Sequence, residues 1–78
     1  MQKSVTIYST QTCHYCNLAK QFFADNNITY TNIDVGADRA KAKEMVEKTG
    51  QMGVPVIEID SEVIIGFDEE RVRAALGL

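Results

Sequence analysis

The sequence predicts an α/β protein in which three helices pack on a mixed four-stranded sheet. Apolar residues recur first at the spacing of a strand and then at that of a helix, and this alternation is repeated. The last two strand-like segments have only a short turn between them, which indicates a hairpin. A chain of 78 residues corresponds to one domain, so we expect a single domain over residues 1–78. The predicted order is β-α-β-α-β-β-α.

The first half of the chain predicts two strands, each followed by a helix. β-Branched and aromatic residues give a short buried strand at 5–8. A helix follows from Tyr15, and the turn-forming residues 25–27 end it. Alternating residues predict the second strand at 28–34, and residues 38–49 form a second helix that stops at a glycine. The side chains expected to face the core are Leu18, Ala19, Phe22, Phe23, Ile28, Tyr30, Ile33, Ala42, Met45 and Val46.

The second half predicts a β-hairpin and a last helix. The strands are expected at 54–59 and 62–65, with Asp60-Ser61 as the tight turn. Asp68 can cap the helix, which would bury Val72, Ala75 and Leu76. The first two strands, joined through a helix, should be parallel by a right-handed crossover, and the hairpin is antiparallel. Helices should therefore cover both faces of a mixed sheet.

Composition and charge give no support to several classes of function. The formal net charge of −3 provides no basic stripe for nucleic acid or for an anionic membrane. The apolar stretches are too short to span a bilayer, and residues 1–4 lack the long apolar segment of a signal peptide. We therefore expect a cytoplasmic monomer. In that reducing compartment a lone cysteine pair is more often catalytic than structural.

The two cysteines of the chain, Cys13 and Cys16, lie where the first strand gives way to the first helix. Their spacing brings them within disulfide reach at the positive end of the helix. The backbone N–H groups there should lower the pKa of Cys13 below its usual value of about 8.5, so Cys13 is the expected nucleophile. Cys16, one turn further in and more covered, would resolve the mixed disulfide. Zinc would need two more ligands, and haem attachment would need histidine where Asn17 stands, so we expect no metal.

Residues next to the pair and around the lone proline are further candidates. A protonated His14 would stabilise a thiolate and make the protein more oxidising; the alternative is an exposed ring without that effect. Tyr15 either packs under the helix or meets a substrate in a groove, and we expect the groove. Pro55 is either simple punctuation at the start of a strand or the site of a cis bond. A cis Val54-Pro55 bond would present the Val54 backbone to an extended peptide-like substrate beside the cysteines.

Assembled in this order, the motifs resemble those of the glutaredoxin family, which has the thioredoxin-like fold. The similar segments are Cys13-His14-Tyr15-Cys16 for the family's Cys-Pro-Tyr-Cys, Val54-Pro55 for its Thr-Val-Pro, and Gly66-Phe67-Asp68-Glu69 for its Gly-Gly-x-Asp-Asp turn. The resemblance implies a thiol-disulfide oxidoreductase that acts on protein disulfides or glutathione mixed disulfides. It implies glutathione as co-substrate and no tightly bound cofactor.

The resemblance also implies a binding groove for glutathione. Tyr15 would flank the tripeptide, and Val54, held by Pro55, would bond its backbone. The turn 66–68 would hold the γ-glutamyl end, with Gly66 and Phe67 shaping it and the Asp68 N–H receiving a carboxylate.

Three positions depart from the family's pattern, and two alternative functions stay open. Thr10, Gly53 and His14 stand where members of the family usually carry lysine, threonine and proline. Lys41 or Lys43 could supply the charge that is missing at Thr10.

The chain also resembles the small redoxins that serve ribonucleotide reductase, accept electrons from thioredoxin reductase and share a Gly-Phe turn. A non-enzymatic alternative is an iron–sulfur carrier, in which Cys13 and glutathione hold a cluster between two protomers.

Overall fold

The computed structural model describes residues 3–78, and its elements follow the predicted order. Met1 and Gln2, on which part of the signal-peptide argument rests, lie outside the described residues. The strands are β1 (Val5–Ser9), β2 (Thr31–Asp34), β3 (Val56–Ile59) and β4 (Glu62–Ile65). The helices are α1 (His14–Asp25), α2 (Arg39–Thr49) and α3 (Glu69–Leu76). None of the described helices is long and apolar enough to cross a bilayer.

The four strands form the predicted mixed sheet in the order β2-β1-β3-β4. β1 pairs in parallel with β2 and antiparallel with β3, and β4 completes an antiparallel hairpin with β3. In the two central strands Ile7 lies opposite Ile57, and both side chains are fully buried. Because β1 and β2 are parallel, their carboxyl ends meet at one edge, where Ser9 pairs with Asp34. The first cysteine follows β1 at this edge.

Helices cover both faces of the sheet, as the sequence predicts. Side chains alternate between the faces along a strand, so Ile57 and Val56 belong to different cores. On the face of Val56, α2 packs through Met45 against Tyr8. The other face carries α1 and α3, and its buried residues are Val5, Ile7, Ala19, Phe22, Phe23, Ile57, Ile59, Ile64, Val72 and Ala75.

The helix ends follow the sequence signals. Asp38 caps α2 by accepting a hydrogen bond from the Lys41 N–H at 3.1 Å, and Gly50 ends that helix with a left-handed φ of 73°. Asp68 caps α3 by accepting one from the Arg71 N–H at 3.3 Å. These caps confirm the predicted start of α3 and the predicted end of α2.

Two predicted strand boundaries are wrong at the start of the strand. The second strand was expected from residue 28 but begins at 31, because the Ile28 N–H donates to the Phe23 carbonyl at 2.8 Å and closes α1 instead. The third was expected from residue 54 but begins at 56, since Pro55 has no N–H for a ladder. The N–H of Ile28 is thus already bonded to α1, and Pro55 has no N–H, so neither residue can pair in the sheet through that group.

Two side chains expected in the core are exposed instead. Leu18 is 41% exposed and Val46 is 36% exposed. Each lies at the margin of the apolar stripe of its helix, where helical spacing alone does not set how far the neighbouring elements reach. Leu18 therefore borders an open groove between α1 and α3.

Candidate active site

The cysteine pair sits at the amino end of α1, directly beyond the carboxyl end of β1. Cys13 is the residue that caps the helix, and its Sγ accepts a hydrogen bond from the Cys16 N–H at 3.1 Å. The two sulfurs are joined in a disulfide, with the Cα atoms 5.2 Å apart. Cys13 is half-buried, whereas Cys16 is fully buried. A reactant approaching from solvent therefore meets the sulfur of Cys13.

The Val54-Pro55 turn lies against this disulfide. The peptide bond between the two residues is cis, as one of the two readings of the lone proline predicted. The carbonyl oxygen of Val54 is 3.8 Å from the Sγ of Cys13, and Pro55 is buried beneath the turn. The structure thus brings the first and second sequence motifs together.

The glycine turn before α3 is bonded to the proline turn. The Gly66 N–H donates to the Pro55 carbonyl at 2.9 Å, and Gly66 has a φ of 78°, a conformation that favours glycine. Phe67 is half-buried, and its ring centroid is 5.8 Å from that of Phe22, so its side chain packs on the core. The carboxylate of Asp68 serves as the α3 cap. The three motifs are therefore linked by contacts, from Cys13 to Val54 and from Pro55 to Gly66.

His14 and Tyr15 are the two residues between the cysteines in the sequence. Both are exposed, Tyr15 to 61%, and their ring centroids are 5.6 Å apart in an edge-on arrangement. Packing of Tyr15 under the helix, the alternative that the sequence left open, is wrong. The aromatic ring of Tyr15, two residues after Cys13, is therefore open to solvent.

An open cavity of about 400 Å³ lies next to the segment that leads into Cys13, at the edge where β1 and β2 end. Its Asp34 carboxylate is half-buried, and one oxygen, Oδ1, accepts hydrogen bonds from the Gly36 N–H at 2.9 Å and the Ala37 N–H at 3.2 Å. The second oxygen, Oδ2, accepts one from the Gln11 side-chain amide at 3.3 Å. The lining residues are Thr10, Gln11, Thr12, Asp34, Gly36 and Ala37.

Sequence reasoning missed the Asp34 cavity, although a signal was present. Asp34 ends one parallel strand while Thr10 follows the other, and in such sheets ligands bind at the carboxyl ends of the strands. Lys41 and Lys43, considered as a charge near Thr10, are absent from the lining, and the Lys41 ammonium pairs with Glu44 at 3.3 Å. The lining residues include a carboxylate and no cation.

The titration shifts that the structure produces lie under α2, away from the disulfide. Burial raises the pKa of Tyr8 above its usual value, and a hydrogen bond to the Glu58 carboxylate adds to the effect. The same carboxylate lies 3.2 Å from the ammonium of Lys48 and raises the pKa of Lys48. Within residues 3–78 no group of three or more histidine, cysteine or acidic side chains is arranged to hold a metal ion.

Comparison with known proteins agrees with this geometry. The family model described as Glutaredoxin matches residues 5–64. An uncharacterized glutaredoxin-like 8.6 kDa protein in the rubredoxin operon of Clostridium pasteurianum is 37% identical over 68 residues, 87% of this chain and 91% of that protein. Glutaredoxin 3 of Escherichia coli K12 is 33% identical over 66 residues, 85% of this chain and 80% of its own. The glutaredoxin-like protein NrdH of Lactococcus lactis MG1363 is 32% identical over 66 residues, 81% and 86% of the two chains.

Solved structures show the same fold. A thioredoxin-like protein, BC3987, superposes with a TM-score of 0.88 at 29% identity, over 94% of this chain and all of the other (100%). A glutaredoxin of Archaeoglobus fulgidus gives a TM-score of 0.84 at 18% identity, over 94% of this chain and 85% of that one, which bears on the fold alone.

Proposed function

Because the chain belongs to the glutaredoxin family of thiol-disulfide oxidoreductases, we propose that Cys13 opens a substrate disulfide and Cys16 resolves the intermediate. The Cys13 thiolate attacks one substrate sulfur, the substrate S–S bond breaks, and the leaving sulfur takes up a proton. Cys16, as a thiolate, then attacks the Cys13 sulfur and releases the second substrate thiol. The substrate gains two electrons and two protons, and the protein is left with the Cys13–Cys16 disulfide.

The unequal exposure of the two sulfurs carries this assignment. Cys13 is reachable from solvent and its sulfur accepts the Cys16 N–H, a bond that favours negative charge on the attacking atom. Cys16 is fully buried one turn along the helix, so a substrate reaches it only after Cys13 has reacted. Nucleophile and resolver therefore have different surroundings.

We assign substrate binding to the surface around Cys13. The Val54 carbonyl, 3.8 Å from the Cys13 sulfur, would bond the backbone of an extended peptide, and the exposed Tyr15 ring would flank it. Gly66 would approach the peptide closely, while Phe67 holds the turn through Phe22.

The remaining two positions of this surface have narrower roles. Pro55 sets the Val54 backbone and anchors the Gly66 turn through its carbonyl. The Asp68 N–H, at the start of α3, would receive a carboxylate such as that of a γ-glutamyl group. On this assignment glutathione is a co-substrate held only transiently.

Serine variants of the two cysteines test the assignment. Cys13→Ser should remove all turnover, because no exposed thiol remains to attack. Cys16→Ser should stop reduction of a protein disulfide but keep turnover of a glutathionylated peptide, since free glutathione can resolve the intermediate. The readout is the rate of thiol release from each substrate. Activity of Cys13→Ser would contradict the mechanism, and equal loss in both variants on the glutathionylated peptide would contradict a monothiol route.

The electron donor has two candidates, glutathione and thioredoxin reductase. The NrdH relatives and the absence of a cation among the lining residues of the Asp34 cavity favour the second, with ribonucleotide reductase as the acceptor class. We expect oxidised protein to be reduced faster by thioredoxin reductase with NADPH than by glutathione with glutathione reductase. NADPH consumption at equal protein concentrations measures both. Faster reduction by glutathione would reverse the assignment.

Three further properties stay predictions. Cytoplasmic location and a monomeric state are tested by fractionation and by sedimentation. An iron–sulfur carrier would be brown with visible absorbance after anaerobic purification with glutathione. We expect colourless protein that reduces a small disulfide, because the second cysteine closes a disulfide with Cys13.

A further inference from the structure

The cavity beside the cysteine pair contains a carboxylate, that of Asp34, whereas members of the family usually carry a lysine at the position of its lining residue Thr10. Its lining segment Thr10–Thr12 runs directly into Cys13, whose N–H donates to the Thr10 carbonyl at 3.4 Å. A residue that flanks a reacting substrate cysteine on this side would therefore lie near the cavity. The one ionisable side chain among its lining residues is Asp34.

Only one oxygen of Asp34 is committed to the fold. Oδ1 accepts the two backbone N–H groups of Gly36 and Ala37, at 2.9 and 3.2 Å. Within residues 3–78, Oδ2 accepts only a long bond of 3.3 Å from the amide of Gln11, an exposed side chain. That amide is a neutral donor resting where a cationic donor would bind more strongly. It can move aside at little cost, since both partners keep access to water.

Several backbone donors of the segment 36–41 beside the cavity are already used within the fold, so they offer little to an anion. The N–H groups of Gly36 and Ala37 bond Asp34, and the N–H of Lys41 bonds the Asp38 cap. The side-chain donors that line the cavity, those of Thr10, Gln11 and Thr12, are neutral, and a carboxylate entering the cavity would face the Asp34 charge. An ammonium or guanidinium would gain an ion pair with it.

We propose that the Asp34 cavity is a subsite for a lysine or arginine side chain flanking the reactive cysteine of a polypeptide substrate. The proposal rests on the proposed function and narrows its substrate class to disulfides next to basic residues. Asp34 pairs with the charged side chain of the substrate, while Cys13 attacks the substrate disulfide. A peptide with an acidic residue in this place is disfavoured by the same carboxylate.

Single-turnover reduction of matched peptides tests the subsite. The probes are disulfide-linked dimers of short acetylated, amidated peptides that differ only in carrying Lys, Gln or Glu beside the cysteine, made in two sets for its two sides. Pre-reduced protein is mixed with each, and thiol release gives a second-order rate constant. We expect, in at least one set, the order Lys, Gln, Glu with a factor of about 5 between the extremes, the size of an exposed ion pair.

Asp34→Asn should bring the Lys to Glu ratio close to 1. The asparagine oxygen keeps the bonds from Gly36 and Ala37, and circular dichroism checks that the fold is retained. Asp25→Asn is the matched control, because it changes the net charge equally and its carboxylate also accepts a glutamine amide, that of Gln21 at 2.8 Å. It lies at the far end of α1 and should leave the ratio unchanged.

Each outcome has a defined meaning. Equal rates for Lys and Glu peptides in the parent protein, in both sets, overturn the subsite. An equal fall of the ratio in Asp34→Asn and Asp25→Asn also overturns it, because the preference then comes from the net charge. If the Gln peptide is reduced but the Lys and Glu peptides react at equal rates, only the subsite fails. If no peptide is reduced, the proposed function fails and the subsite with it.

Discussion

At the scale of single residues, Tyr8 is an ionisable residue in the core on the α2 face. Its side chain is 1% exposed, and its hydroxyl bonds the Glu58 carboxylate, which also pairs with Lys48 at 3.2 Å. Burial disfavours the ionised form of the phenol, and the neighbouring carboxylate disfavours it further. The network therefore holds Tyr8 neutral and Lys48 charged.

These shifts predict a loss of stability in alkaline solution. The unfolded chain loses the tyrosine proton near pH 10, whereas the folded chain keeps it, so the contribution of Tyr8 is complete below about pH 10 and declines above it. The raised pKa of Lys48 acts in the same direction, because the folded state holds that proton longer too. We expect a lower free energy of unfolding at pH 11 than at pH 8.

Urea unfolding of a Cys13→Ser, Cys16→Ser protein measures this without disulfide exchange. Adding Tyr8→Phe should make the fall between pH 8 and pH 11 smaller. Tyr30→Phe, which changes a half-buried ring on the opposite face of the sheet, should keep the full fall. An unchanged fall in Tyr8→Phe would show that this network does not sense alkaline pH.

At the scale of elements, the helices differ in how much they bury. α1 buries Cys16, Ala19, Phe22 and Phe23, whereas α2 buries only Met45. A fully buried apolar side chain contributes about 1.5–3 kcal/mol, so α2 is held less firmly than α1 by several such contributions. Elements with few buried side chains open at the lowest free energies.

Hydrogen exchange should therefore show α2 opening before the central strands. We expect the amides in the middle of α2 to exchange through openings about 2 kcal/mol or more below those of Ile57 in β3. Native-state exchange at rising urea, followed by NMR, gives the opening free energy of each amide. Equal values in α2 and β3 would mean that the Lys48–Glu58 pair and Met45 hold α2 as firmly as the sheet holds its own strands.

Local sequence signals predicted the elements well where the backbone itself sets the boundary. Asp68, Gly50 and the Asp60-Ser61 turn all act where expected, and Asp60 has the positive φ of 53° that a tight turn needs. The start of β2 was missed because the Ile28 N–H closes α1, a contact that alternation of side chains does not reveal. The exposure of Leu18 was not predicted, because it depends on how far α3 extends over α1.

The same distinction between local signals and long-range contacts applies to the candidate site. The position of Cys13 at the start of α1 was predicted from the local pattern. The cis bond was one of two alternatives for the lone proline, and the turn at Gly66 was expected from the resemblance to the family. The Asp34 cavity was not, because Gln11 and Asp34 are 23 residues apart and meet only once β1 and β2 are paired. Long-range pairing decides what the local pattern leaves open.

At the scale of the whole molecule, one sheet carries both cores. Ile57 belongs to the face of α1 and α3, and its neighbour Val56 belongs to the face of α2. The radius of gyration is 11.6 Å, which agrees with roughly 11.5 Å for a compact chain of this length. Because β1 and β3 contribute to both cores, neither core can be lost at equilibrium without removing support from the other.

We therefore propose a single cooperative domain over residues 1–78, with a urea dependence of about 1 kcal/mol per molar, typical of a small protein. The NMR methyl signals of Met45 and Ile57 report the two faces separately, and both should lose intensity at the same midpoint as far-UV circular dichroism. Early opening of α2 in native-state exchange is compatible with this, because such openings are rare excursions. A midpoint for Met45 clearly below that of Ile57 would instead make α2 a separate unit, and the shared strands would then not couple the two faces.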